Sequence, residues 1–292
     1  MRVGIDALPF AFERTGVARY LTSMLDQMLI LDPSVEFLLY TPIPVSVPLK
    51  SGNWVVREIP DRLSLRPSIW AQRTLPGLLA ADAVDAFWGQ PTNLPLRRKH
   101  RCFRVLTVHD LVPYVLPASM HFRGLLRMRL MLRLVARAAE CVIAVSHATA
   151  TQALRYLKIR RERVRVVREA AAGVFTPLPK AEARALVARE LGVDRPYIVF
   201  VSTIEPRKDH RTLLRALRDV PDAPLLVLAG GVGWRCRSIL AAIRDEESTG
   251  RVKYLGRVED CILPALYSAA EFAVYPSLYE GFGLPVLEAM AC

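Results

Sequence analysis

The chain has 292 residues, 52% hydrophobic and 23% charged, a globular composition long enough for two domains. No apolar run reaches the ~18–20 residues of a membrane span, and the opening MRVGIDALPF has neither the apolar core nor the cleavage site of a secretory signal, which points to a cytoplasmic protein. Lys and Arg outnumber Asp and Glu by 40 to 28, a formal charge of +12, so an anionic partner is expected: a phosphorylated substrate, a membrane surface or nucleic acid.

Short β-rich runs alternate with helix-like stretches along the first half: RVGIDAL, EFLLYTP, VVREIP, DAFWG, RVLTVHD, CVIAVS and RVRVV. After the proline-bearing VFTPLPKAE the pattern restarts with YIVFVST, PLLVLAG, VKYLG and FAVYPS. Near-continuous apolar runs separated by helices are the mark of parallel strands buried on both faces. The class predicted is α/β, with two Rossmann-like doubly wound domains, 1–175 and 180–292, joined near Phe175–Pro179. The second holds fewer elements and reads as incomplete. Cys102, Cys141, Cys236, Cys261 and Cys292 are dispersed with no paired spacing, so free thiols and no metal site are expected.

In open α/β sheets, ligands gather at the carboxyl ends of strands. Four such places carry chemistry-bearing residues. In FERTGVARY, Gly16 opens a helix-like run whose backbone amides could approach a phosphate, although a simple helix-entry turn explains it equally. In LTVHDLVP, His109 and Asp110 close an apolar strand, where a polar pair is costly to bury unless used; His109 is the candidate and Asp110 its support. In VSTIEPRKDHRTLL, Arg207 and Lys208 stand between strand and helix and suit a diphosphate, one as a bidentate fork and one as a point charge. A loop salt bridge to Glu205 or Asp209 is the competing explanation.

The fourth place is YPSLYEGFGLPVLEAMAC. Gly281, Phe282, Gly283 and Leu284 form a turn that allows close backbone approach, and Pro285 marks the first turn of a helix whose positive end favours phosphate. Glu288 falls one turn into that helix, where a carboxylate can accept both hydroxyls of a ribose. Glu280, before the turn, can reach a sugar beyond the phosphates. Taken together the four places describe a nucleotide-sugar site.

One helix stands apart. In HFRGLLRMRLMLRLVARAA, Arg123, Arg127, Arg133 and Arg137 share a stripe with Leu126, Leu130 and Leu134. Two readings are open: a packed helix with snorkelling arginines, or a basic, leucine-studded face for anionic lipid headgroups.

SLYEGFGLPVLEAMAC resembles the E-x7-E signature of retaining GT-B glycosyltransferases of family 4. VSTIEPRKDHRTLLRAL, LTVHDLVPYVLP, VIAVSHATATQAL and RTGVARY are similar to the same family in the same order. The resemblance implies transfer of a hexose, mannose-like or other, from a GDP- or UDP-linked donor substrate to an acceptor hydroxyl with retention and without a cofactor. It implies a glycan or lipid-linked acceptor in polysaccharide or glycolipid synthesis, at the inner face of a membrane. By position, Glu288 would hold the ribose, Glu280 the transferred sugar, and Lys208 with Arg207 the diphosphate. Gly16 would offer amides to the phosphates, His109 would contact the sugar and Ser146 would line the cleft.

The chain departs from the family at Ser202, Thr203 and Ile204, where Gly-Arg-Leu is frequent, so one phosphate arginine of relatives is absent, and Arg207 would substitute for it. VVREAAAGVF lacks the Pro-Asn-Gly turn of relatives. Relatives also continue beyond EAMAC with a further strand and helices. A nucleotide-sugar epimerase and a non-catalytic nucleotide-binding chain are the alternatives. AGGVGWR is not G-x-G-x-x-G, which disfavours a nicotinamide dehydrogenase, and no nucleic-acid recognition motif accompanies the charge.

Overall fold

Strands rich in Val, Ile, Leu and Phe without polar alternation need helices on both faces, and the first half of the chain is built this way. The computed structural model describes residues 1–292 except 12–15, 50–51, 63–65, 92, 100 and 221. Among the described residues, strands β1 (Arg2–Asp6), β2 (Glu36–Thr41), β3 (Trp54–Glu58), β4 (Ala86–Gly89), β5 (Phe103–Val108), β6 (Cys141–Ala144) and β7 (Val164–Val166) form one parallel sheet in the order β3-β2-β1-β4-β5-β6-β7. Helices α1 (Gly16–Leu31), α2 (Pro67–Arg73), α3 (Leu75–Ala81), α4 (Val112–Val115), α5 (Phe122–Ala138) and α6 (His147–Leu157) connect them.

Alternate residues of the inner strands serve opposite faces. Val3, Ile5, Phe37, Leu39 and Trp88 pack with Leu21 and Leu25 of α1. On the other face Gly4 leaves room for Phe87, Tyr40 and Leu79 of α3: a Cβ there would lie 2.9 Å from the Phe87 ring. The strand order reverses between β1 and β4, which makes their carboxyl ends the switch point of this sheet.

The second sheet repeats the plan with β8 (Tyr197–Val201), β9 (Leu225–Ala229), β10 (Val252–Tyr254) and β11 (Phe272–Ala273), all parallel, in the order β10-β9-β8-β11. Its helices are α7 (Lys180–Leu191), α8 (His210–Arg218), α9 (Arg237–Ser248), α10 (Leu263–Ala269) and α11 (Leu284–Ala291). Tyr197, Val199, Leu225 and Val227 face α7 and α10, whereas Ile198, Phe200, Leu226 and Leu228 face α8 and α9. Of the predicted run FAVYPS, only Phe272 and Ala273 form the strand proper, with Val274 adding one further bond to Val199. Here the order reverses between β8 and β11, so the loops after these two strands converge.

The chain divides into two compact units. One comprises Met1–Tyr114 and Phe122–Glu169, the other Val115–His121 and Ala170–Cys292. The division falls ahead of the Phe175–Pro179 segment because Phe175 is 4% exposed within the second unit's core, in edge contact with Tyr267. Val115–His121 groups with the second unit through Trp234, whose indole donates to the Ser119 carbonyl at 3.0 Å, and Arg235, which donates to Ala118 at 2.5 Å.

Candidate functional site

The switch point of the second sheet gathers most of the chemistry. After β8 the chain makes a 3-10 turn at Pro206–Lys208, and Asp209, in the left-handed region at φ 51°, caps α8 by accepting from Thr212 N. This turn buries Lys208 at 6% exposure and aims it at the loop after β11. Lys208 Nζ donates to Glu280 Oε1 at 2.5 Å and to the Tyr275 hydroxyl at 3.0 Å. Arg207 Nη1 donates to Glu280 Oε2 at 2.6 Å, and its Nε lies 2.6 Å from Glu205 Oε1. The competing explanation for the arginine therefore holds in part: Glu205 does pair with it. Asp209 serves as a cap instead.

The electrostatics follow from the packing. Burial pushes the Glu280 carboxyl upward, but Lys208 and Arg207 outweigh it and hold the group below the usual carboxylate range. Burial and the adjacent guanidinium pull the Lys208 ammonium down against the upward influence of Glu280. Glu205, 1% exposed, is raised by burial in spite of both cations. Burial and Glu280 push the Tyr275 phenol well above its ordinary range, which keeps it a donor, and it lies 3.3 Å from Glu280 Oε1. Two cations thus share one half-buried carboxylate.

A second layer supports them. His210 is 1% exposed, with Nε2 3.2 Å from Ser202 Oγ and its ring 4.8 Å from Phe200. Burial, then the Lys208 charge, lowers this imidazole from 6.5 to about 4, so it is neutral at physiological pH. Gly230, at φ 144°, lets the loop after β9 touch the loop after β8: an added Cβ would sit 2.0 Å from the Ser202 carbonyl oxygen.

The turn before α11 is also built on a glycine. Gly283 has φ 103° and precedes the first helical residue, Leu284, with Pro285 in the first turn. Gly281 is buried and Phe282 half-buried. Glu288 is 2% exposed, and the Tyr267 hydroxyl lies 3.4 Å from its Oε2. Beside it, Val201, Tyr267, Tyr275, Val286 and Ala289 line an apolar hollow of about 260 Å³.

In the first unit, His109 follows β5 and Gly16 opens α1, whereas 12–15, the rest of the predicted phosphate turn, lie outside the described residues. A Cβ on Gly16 would meet nothing within 4 Å among the described residues, whose packing therefore does not require a glycine there. Asp110 accepts from Val112 N at 3.2 Å, a turn bond that anchors the strand end. His109 Nδ1 lies 3.2 Å from Glu169 Oε1, and its ring stands edge-on to Tyr20 with centroids 4.8 Å apart. Among the described residues, His109 Nε2 and the Gln90 amide are buried near this strand terminus without a hydrogen-bond partner. Ser146 is the N-cap of α6, its Oγ accepting from Thr149 N at 3.0 Å. Among the described residues, no cluster of His, Cys, Asp and Glu could hold a metal ion.

The stripe on α5 faces outward. Leu132, Val135 and Ala136 are its buried side, while Phe122, Leu126, Leu130 and Leu134 are 77%, 62%, 58% and 38% exposed. Arg133 turns partly back, donating to the Tyr156 carbonyl at 3.1 Å and lying over the Tyr114 ring. No helix among the described residues is long and apolar enough to cross a membrane.

Sequence reasoning named Glu205 only as a salt-bridge partner and did not single out His210, Tyr275, Glu169 or Gln90. A buried polar residue in a strand-end loop was the available signal, yet burial is not visible until the loops are paired.

Similarity to known proteins extends along the whole chain. Residues 14–170 match the Glycosyltransferase Family 4 description and residues 185–292 match Glycosyl transferases group 1. The O-antigen chain mannosyltransferase B of Escherichia coli is 33% identical over 199 residues, 66% of this chain, which spans 52% of that relative's length. Among solved structures, sucrose-phosphate synthase from Thermosynechococcus elongatus superposes with a TM-score of 0.79 at 20% identity, covering 100% of this chain and 79% of that one. Anabaena HepE in complex with UDP-glucose gives 0.70 at 20% identity, covering 100% and 78%. Both share the fold, two Rossmann-like sheets of the GT-B type. With a family match over more than half of its length, the chain belongs to glycosyltransferase family 4.

Proposed function

We propose that the protein transfers a hexose, mannose-like or another, from a GDP- or UDP-sugar to an acceptor hydroxyl with retention of configuration, in polysaccharide or glycolipid synthesis. The observation that carries this reading is the meeting of Arg207, Lys208 and Glu280 at the switch point of the second sheet. A diphosphate suits this place because two fixed cations face the position where negative charge develops as the sugar–phosphate bond breaks. The mannosyltransferase relative favours a mannose-like sugar, and the UDP-glucose complex of the structural neighbour favours a nucleotide-sugar donor.

Glu280 already occupies both cations, so an arriving diphosphate competes with it for them. Once displaced, its carboxylate is free to accept from sugar hydroxyls, and Arg207 keeps Glu205 as an anchor on Nε. Glu288 holds the ribose. The anomeric C–O bond to phosphate breaks, the acceptor oxygen bonds to the same face, and the departing diphosphate takes the acceptor's proton. This sequence needs no protein base.

An anionic membrane surface is the proposed docking partner. Support comes from α5, where Phe122, Leu126, Leu130 and Leu134 are exposed among Arg123, Arg127, Arg133 and Arg137, with no acidic residue in the helix. Replacing Leu126 and Leu130 by Ser, with Arg127→Glu, is expected to abolish sedimentation with vesicles containing phosphatidylglycerol; unchanged sedimentation removes this helix from the interface.

A donor screen with product analysis tests the enzymatic reading. Incubation with GDP- and UDP-sugars plus a lipid-linked glycan should give an acceptor-dependent glycoside of retained configuration. Release of free or epimerised sugar without acceptor product would mark an epimerase, and binding without any turnover a non-catalytic chain.

A further inference from the structure

His109 makes its side-chain hydrogen bond through Nδ1, to a carboxylate at the far side of the same sheet's carboxyl edge, and this arrangement decides what its other nitrogen can do. We propose that Glu169 is a positioning residue that holds His109 in the Nδ1–H tautomer, so that Nε2 accepts a hydrogen bond from a sugar hydroxyl of the substrate; the inference rests on the glycosyltransferase reading of the site.

The geometry supplies each step. Glu169 follows β7, and its Oε1 lies 3.2 Å from His109 Nδ1. Its side chain is 7% exposed, against 19% for the imidazole. An ionised carboxylate only accepts, so the proton of a neutral imidazole must sit on Nδ1, and the lone pair is left on Nε2. The Tyr20 ring, edge-on at 4.8 Å and 87°, blocks rotation of the imidazole, and Trp88 stands edge-on to Tyr20 at 5.9 Å with its indole tied to Thr107 Oγ1 at 2.8 Å. The ring is therefore fixed by packing as well as by charge. Among the described residues Nε2 itself is buried without a hydrogen-bond partner, as are both polar atoms of the Gln90 amide. Buried polar ends are nearly always hydrogen-bonded in folded proteins, and unsatisfied ones gathered at the carboxyl ends of β4 and β5 suit a ligand rich in hydroxyls.

The chemistry distinguishes this from a structural salt link. With the proton on Nδ1, Nε2 accepts from a sugar O–H; were the tautomer reversed, Nε2–H would instead donate to the hydroxyl oxygen, and the sugar O–H would lose this acceptor. Partners that orient ligating histidines in this way typically matter by ~10–100-fold. Gln can still offer an acceptor oxygen to Nδ1–H, whereas Ala offers none.

The test combines ring nitrogen NMR with kinetics. In protein labelled at its five histidines, with His109 assigned by loss of its signals in H109A, the neutral ring should show the proton on Nδ1. E169A should shift that ring toward the Nε2–H form and lower kcat ~10–100-fold, with GDP or UDP affinity by calorimetry unchanged and the thermal transition retained. E169Q should keep the Nδ1–H form and recover turnover to within about tenfold of wild type. A wild-type His109 carrying its proton on Nε2 overturns the proposal whatever the variants do. So does E169Q as impaired as E169A, or E169A at full turnover while H109A is impaired. Full turnover in H109A would instead remove His109 from the substrate site, a separate failure of the underlying reading.

Discussion

Replacing Glu280 by Gln should move binding and turnover in opposite directions. The carboxylate bridges Lys208 Nζ at 2.5 Å and Arg207 Nη1 at 2.6 Å, and any diphosphate at these cations must take its place. Hydrogen bonds to charged groups are worth ~1.5–3 kcal/mol, against ~0.5–1.5 for neutral ones, so the amide releases roughly 1.5 kcal/mol of competing interaction. That converts to about tenfold tighter binding of GDP or UDP, and the removed repulsion between carboxylate and phosphate acts in the same sense. In transfer, the amide is a weaker acceptor for sugar hydroxyls than the carboxylate, and by the same difference kcat should fall about tenfold. Calorimetry of the nucleoside diphosphate and initial rates with the full donor separate the two effects. Nucleotide binding that is unchanged or weaker in E280Q would refute the competition and make Glu280 part of the diphosphate's own support.

Lys208→Met should cut turnover roughly 10²–10³-fold, the usual effect of losing one charge-stabilising donor, and a mild effect in donor kinetics would move the diphosphate elsewhere. Gly230→Ala should destabilise the second unit by roughly 3 kcal/mol or more in urea denaturation, since its φ of 144° and the 2.0 Å approach to the Ser202 carbonyl leave no space for a methyl group; a near-neutral substitution would mean the two loops separate freely. Acid should act oppositely on the two units. His210 is lowered from 6.5 to about 4, so the unfolded chain takes the proton first, and roughly 3 kcal/mol of second-unit stability is lost as pH falls through that window. Asp6, raised by burial from 3.8 to about 6 despite Asn93 donating to it at 2.9 Å, keeps its proton longer when folded, so the first unit loses a similar contribution as pH rises through 6. Denaturation of wild type, H210N and D6N at pH 7 and 4.5 checks both signs, and parallel pH responses in the three proteins would contradict them.

The strand pattern was readable because parallel strands buried on both faces are spelled as unbroken apolar runs, and β1, β2, β5, β8 and β9 all fall where such runs stand. The loop residues Arg207, Lys208 and Glu280 were readable as types suited to a donor, but their mutual contact was not. It arises from the reversal of strand order between β8 and β11, which sets loops distant in the chain side by side. Glu169 was hidden because the segments after β5 and β7, 60 residues apart in the chain, meet only at the carboxyl edge of the first sheet. Periodicity placed the α5 arginines and leucines on one stripe, yet could not say whether that stripe faced the sheet. Burial of Leu132 and Val135 on the opposite side settles the orientation. The glycines of AGGVGWR served only to exclude a dinucleotide motif; Gly230 turns out to bring two loops into contact.

A crystal structure with GDP or UDP bound shows whether the cations Lys208 and Arg207 hold the donor. The diphosphate is expected within hydrogen-bonding distance of Lys208 Nζ and Arg207, the ribose diol on the Glu288 carboxylate, and Glu280 released from Lys208. A nucleotide seated elsewhere, with the Lys208–Glu280 pair still closed at 2.5 Å, would contradict this placement.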